Sequence, residues 1–338
     1  MQRLRPLRCA TLLVILLAGC AAPCAPSRTE AVVLPMGRGS YYLFHDGAAE
    51  LCRGQDARQA LVFDFPPRPT AGALDLLDAY SGVACGDQVG FLELRAGSEL
   101  QWLPAASRPA WPVEAMAIRG GLCALVSTTS AAVRVVTVPD GDVVFEASPP
   151  AGMTCLRYAV PVSDERVLML GEGSQGALFV ELDRSNGAWG VSRGPQRLPE
   201  MDRLRVVTTD GERVILAGLW ERAMIQPSGG GQAAQRLQQK VVISQLDLAT
   251  LARSELVFQA SNEPLDNIVE VVASDDFCAI TLRLVNGQYR VLAYDLVKAA
   301  APWVKTFGVP VSIVRHGPRQ LAIYAAGYAA EIVSIGDT

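Results

Sequence analysis

Along residues 31 to 336, short runs rich in Val, Ile, Leu and aromatic residues alternate with turn residues, and helical periodicity is scarce. The clearest runs are AAVRVVTV (131–138), ERVLMLGE (165–172), ALFVELD (177–183), ERVILAGLW (212–220), KVVISQLDL (240–248), FCAITLRL (277–284) and QYRVLAYDL (288–296). Their β-branched content and period-2 patterning predict strands. Asp140-Gly141, Asn186-Gly187, Asp210-Gly211 and Asn286-Gly287 punctuate them as turns. Asn286-Gly287 sits between two alternating runs, which predicts a two-residue hairpin. The best helical candidate is QAAQRLQQK, residues 232 to 240, and it is short.

The runs recur at a regular interval. Several end in an apolar residue, then an Asp or turn residue, then a gap, then Trp or Phe. Taking the residue after each such run as a marker selects Asp64, Arg95, Pro139, Asp183, Asp247, Asp295 and Gly336. The intervals are 31, 44, 44, 64, 48 and 41 residues; residues 221–239 read as an insertion loop, and without them the 64 becomes 45. A period of about 40 to 45 residues with four short strands per unit predicts a β-propeller blade. A β-sandwich pair is the alternative all-β reading, and the unit length disfavours it. The predicted architecture is an all-β propeller over residues 31–338, seven blades of four antiparallel strands. The last unit (311–335) shows three clear strands, and AVVLPM (31–36) is the expected fourth, closing the ring and removing a sheet edge.

Asp183, Gly187 and Trp189 form the best repeat of a strand ending in Asp, a turn with Gly and a docking Trp; Asp295 and Trp303 repeat it with a longer gap. These units resemble the repeats of quinoprotein-type and WD-like propellers. The chain lacks the adjacent cysteine pair of the quinoprotein dehydrogenases and is shorter, so the resemblance brings no cofactor with it.

The N-terminus carries a different signal. Residues 1–8 hold Arg3, Arg5 and Arg8 and no acid, and residues 9–18 are mostly apolar. A basic start, an apolar run and small residues after it make a secretory signal. The run is too short for a membrane span, which needs roughly 20 residues. It ends Leu17-Ala18-Gly19-Cys20, which resembles the lipobox of bacterial lipoproteins. The resemblance implies a signal peptide over 1–19, peptidase recognition at Leu17, Ala18 and Gly19, and lipidation of Cys20. Several acyl chains anchor firmly where one is marginal. Ala21 rather than Asp after the cysteine implies the outer membrane. Residues 20–30, rich in Ala and Pro, read as a lipidated tether.

Removing residues 1–19 takes the formal charge from −4 to −7. That balance, with no Lys/Arg cluster, argues against a nucleic-acid partner. Six cysteines follow Cys20: Cys24, Cys52, Cys85, Cys123, Cys155 and Cys278. An oxidising envelope permits disulfides, and six cysteines allow 15 full pairings. Cys123 and Cys278 also read as small buried strand residues.

Candidate chemistry is sparse. His45 and His316 are the only histidines; they would share a site only if the first and last blades bring them together. No metal-ligand spacing and no nucleophile elbow occurs. The acid pairs Asp164-Glu165 and Asp275-Asp276 read as solvated turns. The insertion offers Met224 and Ile225 and the tip Gly229, Gly230 and Gly231 as a candidate partner loop. The sequence thus predicts a lipid-anchored envelope propeller that binds a protein partner, without enzymatic activity, cofactor, metal or small-molecule substrate. The competing readings are a hydrolase- or lactonase-like propeller, with three or more Asp, Glu or Asn converging on an axial metal, and a two-lobed solute-binding lipoprotein, which the scarcity of helices opposes.

Overall fold

A computed structural model describes residues 32–37, 40–45, 48–53, 57–62, 69–74, 80–94, 99–185, 187–209, 212–227, 233–260, 263–298, 301–325 and 330–336. The predicted signal, Cys20, the tether with Cys24, and Gly229, Gly230 and Gly231 lie outside these residues.

The described residues form seven sheets in chain order and no helix. Each blade runs from an inner strand outward by antiparallel neighbours. Blade 4 shows the plan: Cys155–Ser163, Arg166–Gly173, Gly176–Ser185 and Ala188–Arg197. Blade 5 follows with Arg203–Thr209, Arg213–Pro227, Ala233–Asp247 and Arg253–Ala260. Blade 6 has Leu265–Ala273, Phe277–Leu284, Tyr289–Asp295 and Trp303–Phe307. The propeller expected from the period is the fold of the chain. Its second strands are apolar on both faces, because a blade is covered by neighbours on both sides; LCALVS (122–127) is buried at every position.

Seven apolar clusters join neighbouring blades around the ring. The blade 4–5 cluster includes Leu168, Leu170, Met201, Leu204 and Leu216, all 1% exposed or less. The seam between blades 7 and 1 is smaller: Tyr41, Leu43, Cys52, Val314 and Ala322, with Tyr324 packed against them. There the Tyr41 and Tyr324 hydroxyls lie 2.6 Å apart, with ring centroids at 5.7 Å. Burial pushes the Tyr41 hydroxyl far above its ordinary value, so it stays protonated and bonded.

Ring closure differs from the expectation. Val32–Gly37 pairs with Ser40–His45 as the inner strand of its own blade 1 and not as a fourth strand of blade 7. Blade 7 has three strands among the described residues: Val311–Gly317, Gln320–Ala325 and Glu331–Ser334. Val32–Gly37 pairs with the strand next in sequence, out to Gly37↔Ser40, so among the described residues the seam closes by side-chain packing and not by strand exchange. Blades 1 and 2 are irregular in another way. Glu99–Gln101 adds in parallel to the outer edge of blade 1 before Leu103–Pro104 returns to blade 2. Trp102, 5% exposed, pins this crossover. The third strand of blade 1 ends at Arg53, well before the marker Asp64, which lies outside the described residues. The short first interval of 31 came from that marker standing one strand too late.

Three further expectations change. The described parts of the insertion, 221–227 and 233–239, are strand and not loop: Arg213–Pro227 and Ala233–Asp247 pair continuously from Arg213↔Asp247 to Pro227↔Ala233. The helical candidate 232–240 therefore lies largely in a strand, since pairing with a partner strand opposite overrides the local helix propensity. The hairpin at Asn286-Gly287 has three loop residues. The Gly287 N–H donates to the Leu284 carbonyl, and the Leu284 N–H to that of Gln288. Gly287 sits at φ +82°, a type I turn with a bulge in place of the two-residue form. Of the repeat motif, Trp189 stacks on Phe145 of blade 3 at 4.9 Å, and Trp303 packs in the blade 6–7 core. Asp295 accepts the N–H groups of Val297 and Lys298 and pairs with Arg319 of blade 7.

Among the described cysteines, Cys123, Cys155 and Cys278 are free, and Cys52 and Cys85 are buried in strands of blades 1 and 2. Cys123 and Cys278 are fully buried in strands, as expected of small apolar residues.

Candidate functional site: the hairpin arm and the inner-strand arginines

The second and third strands of blade 5 outrun their sheet. The inner strand pairs with them only as far as Arg203↔Leu219, and the outer strand only as far as Lys240↔Ala260. Beyond Trp220↔Lys240 the two strands pair with each other alone, out to Pro227↔Ala233. Seven residues at about 3.3 Å each make an arm of roughly 20 Å. The corresponding turn of blade 4 spans only Gly173 to Gly176. Both edges of the arm carry main-chain groups without a strand partner among the described residues, the state in which a strand recruits another chain.

The foot of the arm is fastened on two sides. Asp202, at the entry to blade 5, accepts the Glu221 N–H at 2.9 Å and Arg222 Nη1 at 2.9 Å. Gln239 donates to Glu221 Oε1 at 3.0 Å and accepts the N–H of Leu265, the first residue of blade 6, at 3.0 Å. On the sheet side of this clamp, Lys240 Nζ lies 4.8 Å from the Trp220 ring centroid and 4.3 Å from that of Phe258. The Arg222 guanidinium covers Trp220 at 4.8 Å. Cation–π contacts of this kind contribute about 0.5–1 kcal/mol each at exposed sites. Leu237, on the arm, is 56% exposed. Register places Met224 opposite Arg236 and Ile225 opposite Gln235.

On the same side of the ring, blades 4 and 5 share a local design. Met153-Thr-Cys-Leu156-Arg157 and Met201-Asp-Arg-Leu204-Arg205 occupy equivalent positions at the start of each inner strand. In both, the register slips at the arginine: Leu156↔Gly171 and Tyr158↔Leu170 flank Arg157, and Leu204↔Gly218 and Val206↔Ala217 flank Arg205. Each arginine is the extra residue of a β-bulge, a device that re-aims a side chain. The glycine opposite makes room. A Cβ on Gly171 would stand 2.0 Å from the Cys155 carbonyl oxygen, and one on Gly218 2.2 Å from that of Arg203. Blade 6 repeats the bulge with Val269, between Ile268↔Leu282 and Glu270↔Thr281. One residue on, the Glu270 carboxylate accepts the Ile313 N–H of blade 7 at 2.7 Å, and burial pushes its carboxyl up to about 8. At the bulges of blades 4 to 6 the inner strands thus carry Arg157, Arg205 and Val269, not converging carboxylates.

His45 ends the second strand of blade 1 and His316 lies near the end of the inner strand of blade 7. Those strands run antiparallel to each other's sense, so the two histidines sit at opposite faces of the ring and share no site. Among the described residues no group of three or more His, Cys, Asp or Glu could hold a metal ion. Asp275 pairs with Arg213 at 2.7 Å and is 83% exposed, as a solvated turn residue.

No protein-family model matches the chain, and no curated protein does. Solved structures do. A chain of Kuenenia stuttgartiensis hydrazine synthase aligns at 13% identity over 93% of this chain and 97% of its own, with a TM-score of 0.53. The WD40 β-propeller domain of Doa1 aligns at 12% over 92% and 94%, at 0.52. The WD40 domain of SCAP from fission yeast aligns at 11% over 92% and 96%, at 0.51. The chain is a β-propeller with neighbours of the WD40 type. At these identities the likeness carries the fold and not the ligand.

The sequence reading pointed to the insertion but missed the clamp and the bulged arginines. The repeated Met-x-x-Leu-Arg at residues 153–157 and 201–205 is the available signal, and it lies at the inner strands, away from the third-strand ends that carry the visible period.

Proposed function

We propose that this protein is a lipid-anchored propeller of the bacterial envelope that docks a protein partner through the blade 5 arm and has no enzymatic role. The observation that carries the reading is the arm itself: a ribbon with two open edges and exposed Leu237, on a foot held by Asp202, Gln239, Trp220 and Lys240. A rigid root limits the entropy lost on binding, which favours a recognition element over a passive excursion of chain. The Leu17-Ala18-Gly19-Cys20 stretch supports membrane attachment through Cys20, and Ala21 supports the outer membrane.

The test replaces residues 221–239 by Asn-Gly, joining Trp220 to Lys240, which already face each other in register. Cells carrying tagged full-length and shortened protein are cross-linked and the membranes solubilised. A stoichiometric partner present with the full chain and lost with the shortened one supports the reading. A chain that purifies alone, or keeps its partner without the arm, overturns it. In parallel, Cys20→Ser should abolish incorporation of labelled palmitate and release the protein from the membrane fraction. Unchanged fractionation would refute the anchor.

A further inference from the structure

We infer that the bulged arginines of blades 4 and 5 form a carboxylate-binding site at the inner strands, with Arg205 as its centre and Arg157 beside it. Arg205 is half-buried, and among the described residues it makes no hydrogen bond or ion pair; its Nε is enclosed without an acceptor. Arg157 Nε is enclosed in the same way, and its Nη2 reaches Glu172 at only 3.4 Å. The Arg205 guanidinium is partly removed from water and has no counter-ion among the described residues, so an anion at its open side gains a charge partner that the fold does not supply.

The acids that could neutralise Arg205 from the elements around it are engaged elsewhere. Glu172 serves Arg157, with Arg203 at 4.0 Å. Asp202 serves Arg222 and the Glu221 N–H, and Glu221 faces Arg203 and Gln239. Asp266 pairs with Arg283, and Glu270 holds the Ile313 N–H. The inner strand of blade 1, VVLPMG, comes within 8 Å of Arg205's strand by Cα positions and contains no acid. The inner strand of blade 4 contains none either. The inner strands of blades 4 and 5 are also within 8 Å of each other by Cα positions, so the two equivalent bulges bring their arginines to one region.

With Nε enclosed, the open side of Arg205 is its Nη fork. That geometry accepts the two oxygens of a carboxylate in parallel and is poorly reproduced by lysine. The carboxylate could come from a free small acid or from an acidic segment of a protein. The site stands independently of the docking role of the arm.

The experiment titrates citrate, and separately a hexaglutamate peptide, into the purified protein at constant ionic strength by calorimetry. The variants are Arg205→Gln, Arg205→Lys, Arg157→Gln and, as control, Arg193→Gln on the exposed outer strand of blade 4. We expect saturable binding of at least one probe, weakened about tenfold or more by Arg205→Gln, less by Arg205→Lys, and unchanged by Arg193→Gln. Binding of both probes assigns the site to small acids, and binding of the peptide alone assigns it to a protein. Lack of binding at millimolar probe, or equal weakening by Arg193→Gln, overturns the inference. Undiminished binding in a folded Arg205→Gln protein overturns it as well.

Discussion

Replacing Glu270 by Gln should stabilise the propeller at neutral and alkaline pH and leave it almost unchanged near pH 4.5. Burial of the carboxyl between blades 6 and 7 pushes it from the ordinary 4.5 up to about 8, against the opposing pull of the Ile313 N–H. Below 4.5 both folded and unfolded chains hold the proton, and the group has no effect on stability. Between 4.5 and about 8 the unfolded chain releases a proton that the folded chain keeps, so stability falls as pH rises, and the loss persists above that range. The full gap is worth about 5 kcal/mol. Glu270 keeps some accessible surface, and solvent screening brings our figure to about 2–3 kcal/mol. A glutamine keeps an acceptor for the Ile313 N–H and carries no charge to desolvate. Urea unfolding of both proteins at pH 4.5, 6, 7 and 8.5 measures the difference directly. We expect it to grow with pH to about 2–3 kcal/mol in favour of the variant. Parallel stability curves at every pH would refute the reasoning.

Gly218→Ala should destabilise by about 1–3 kcal/mol, because its Cβ would meet backbone that cannot yield cheaply, while Gly190→Ala, with open space around it, should be near neutral. Chemical denaturation of both checks the contrast. At the closing seam, Tyr324→Phe should cost about 0.5–1.5 kcal/mol and Leu43→Ala about 2–5 kcal/mol. Hydrogen exchange should then rise first in blades 1 and 7; uniform exchange around the ring would show that the seam is no weaker than the rest. Cys123 and Cys278, whose thiols burial pushes above their ordinary range, should resist a soluble thiol reagent until the protein unfolds. Mass spectrometry of alkylated native protein reads this, and early labelling of either position would contradict their burial.

The sequence by itself determined the class of fold. Its interval of about 44 residues and its doubly apolar second strands suffice, because a blade covered on both faces must repeat both the strands and the turns that separate them. It also marked where the chain departs from the repeat, at 221–239, and it identified Cys123 and Cys278 as core residues. It did not determine the state of that insertion. Its Gln, Ala, Arg and Leu residues favour helix, and only the partner strand opposite, from Trp220↔Lys240 outward, makes the segment a ribbon. The phase of blade 1 and the ring closure were likewise decided in three dimensions, where Val32–Gly37 found its nearest partner in Ser40–His45. The arginines were legible as letters but not as a site. Their meaning depends on which acids lie within reach, and Glu172, Asp202 and Asp266 are each taken by a partner distant in sequence or across a strand. Pairing of charges is a property of the folded surface, and no pattern along the chain records it.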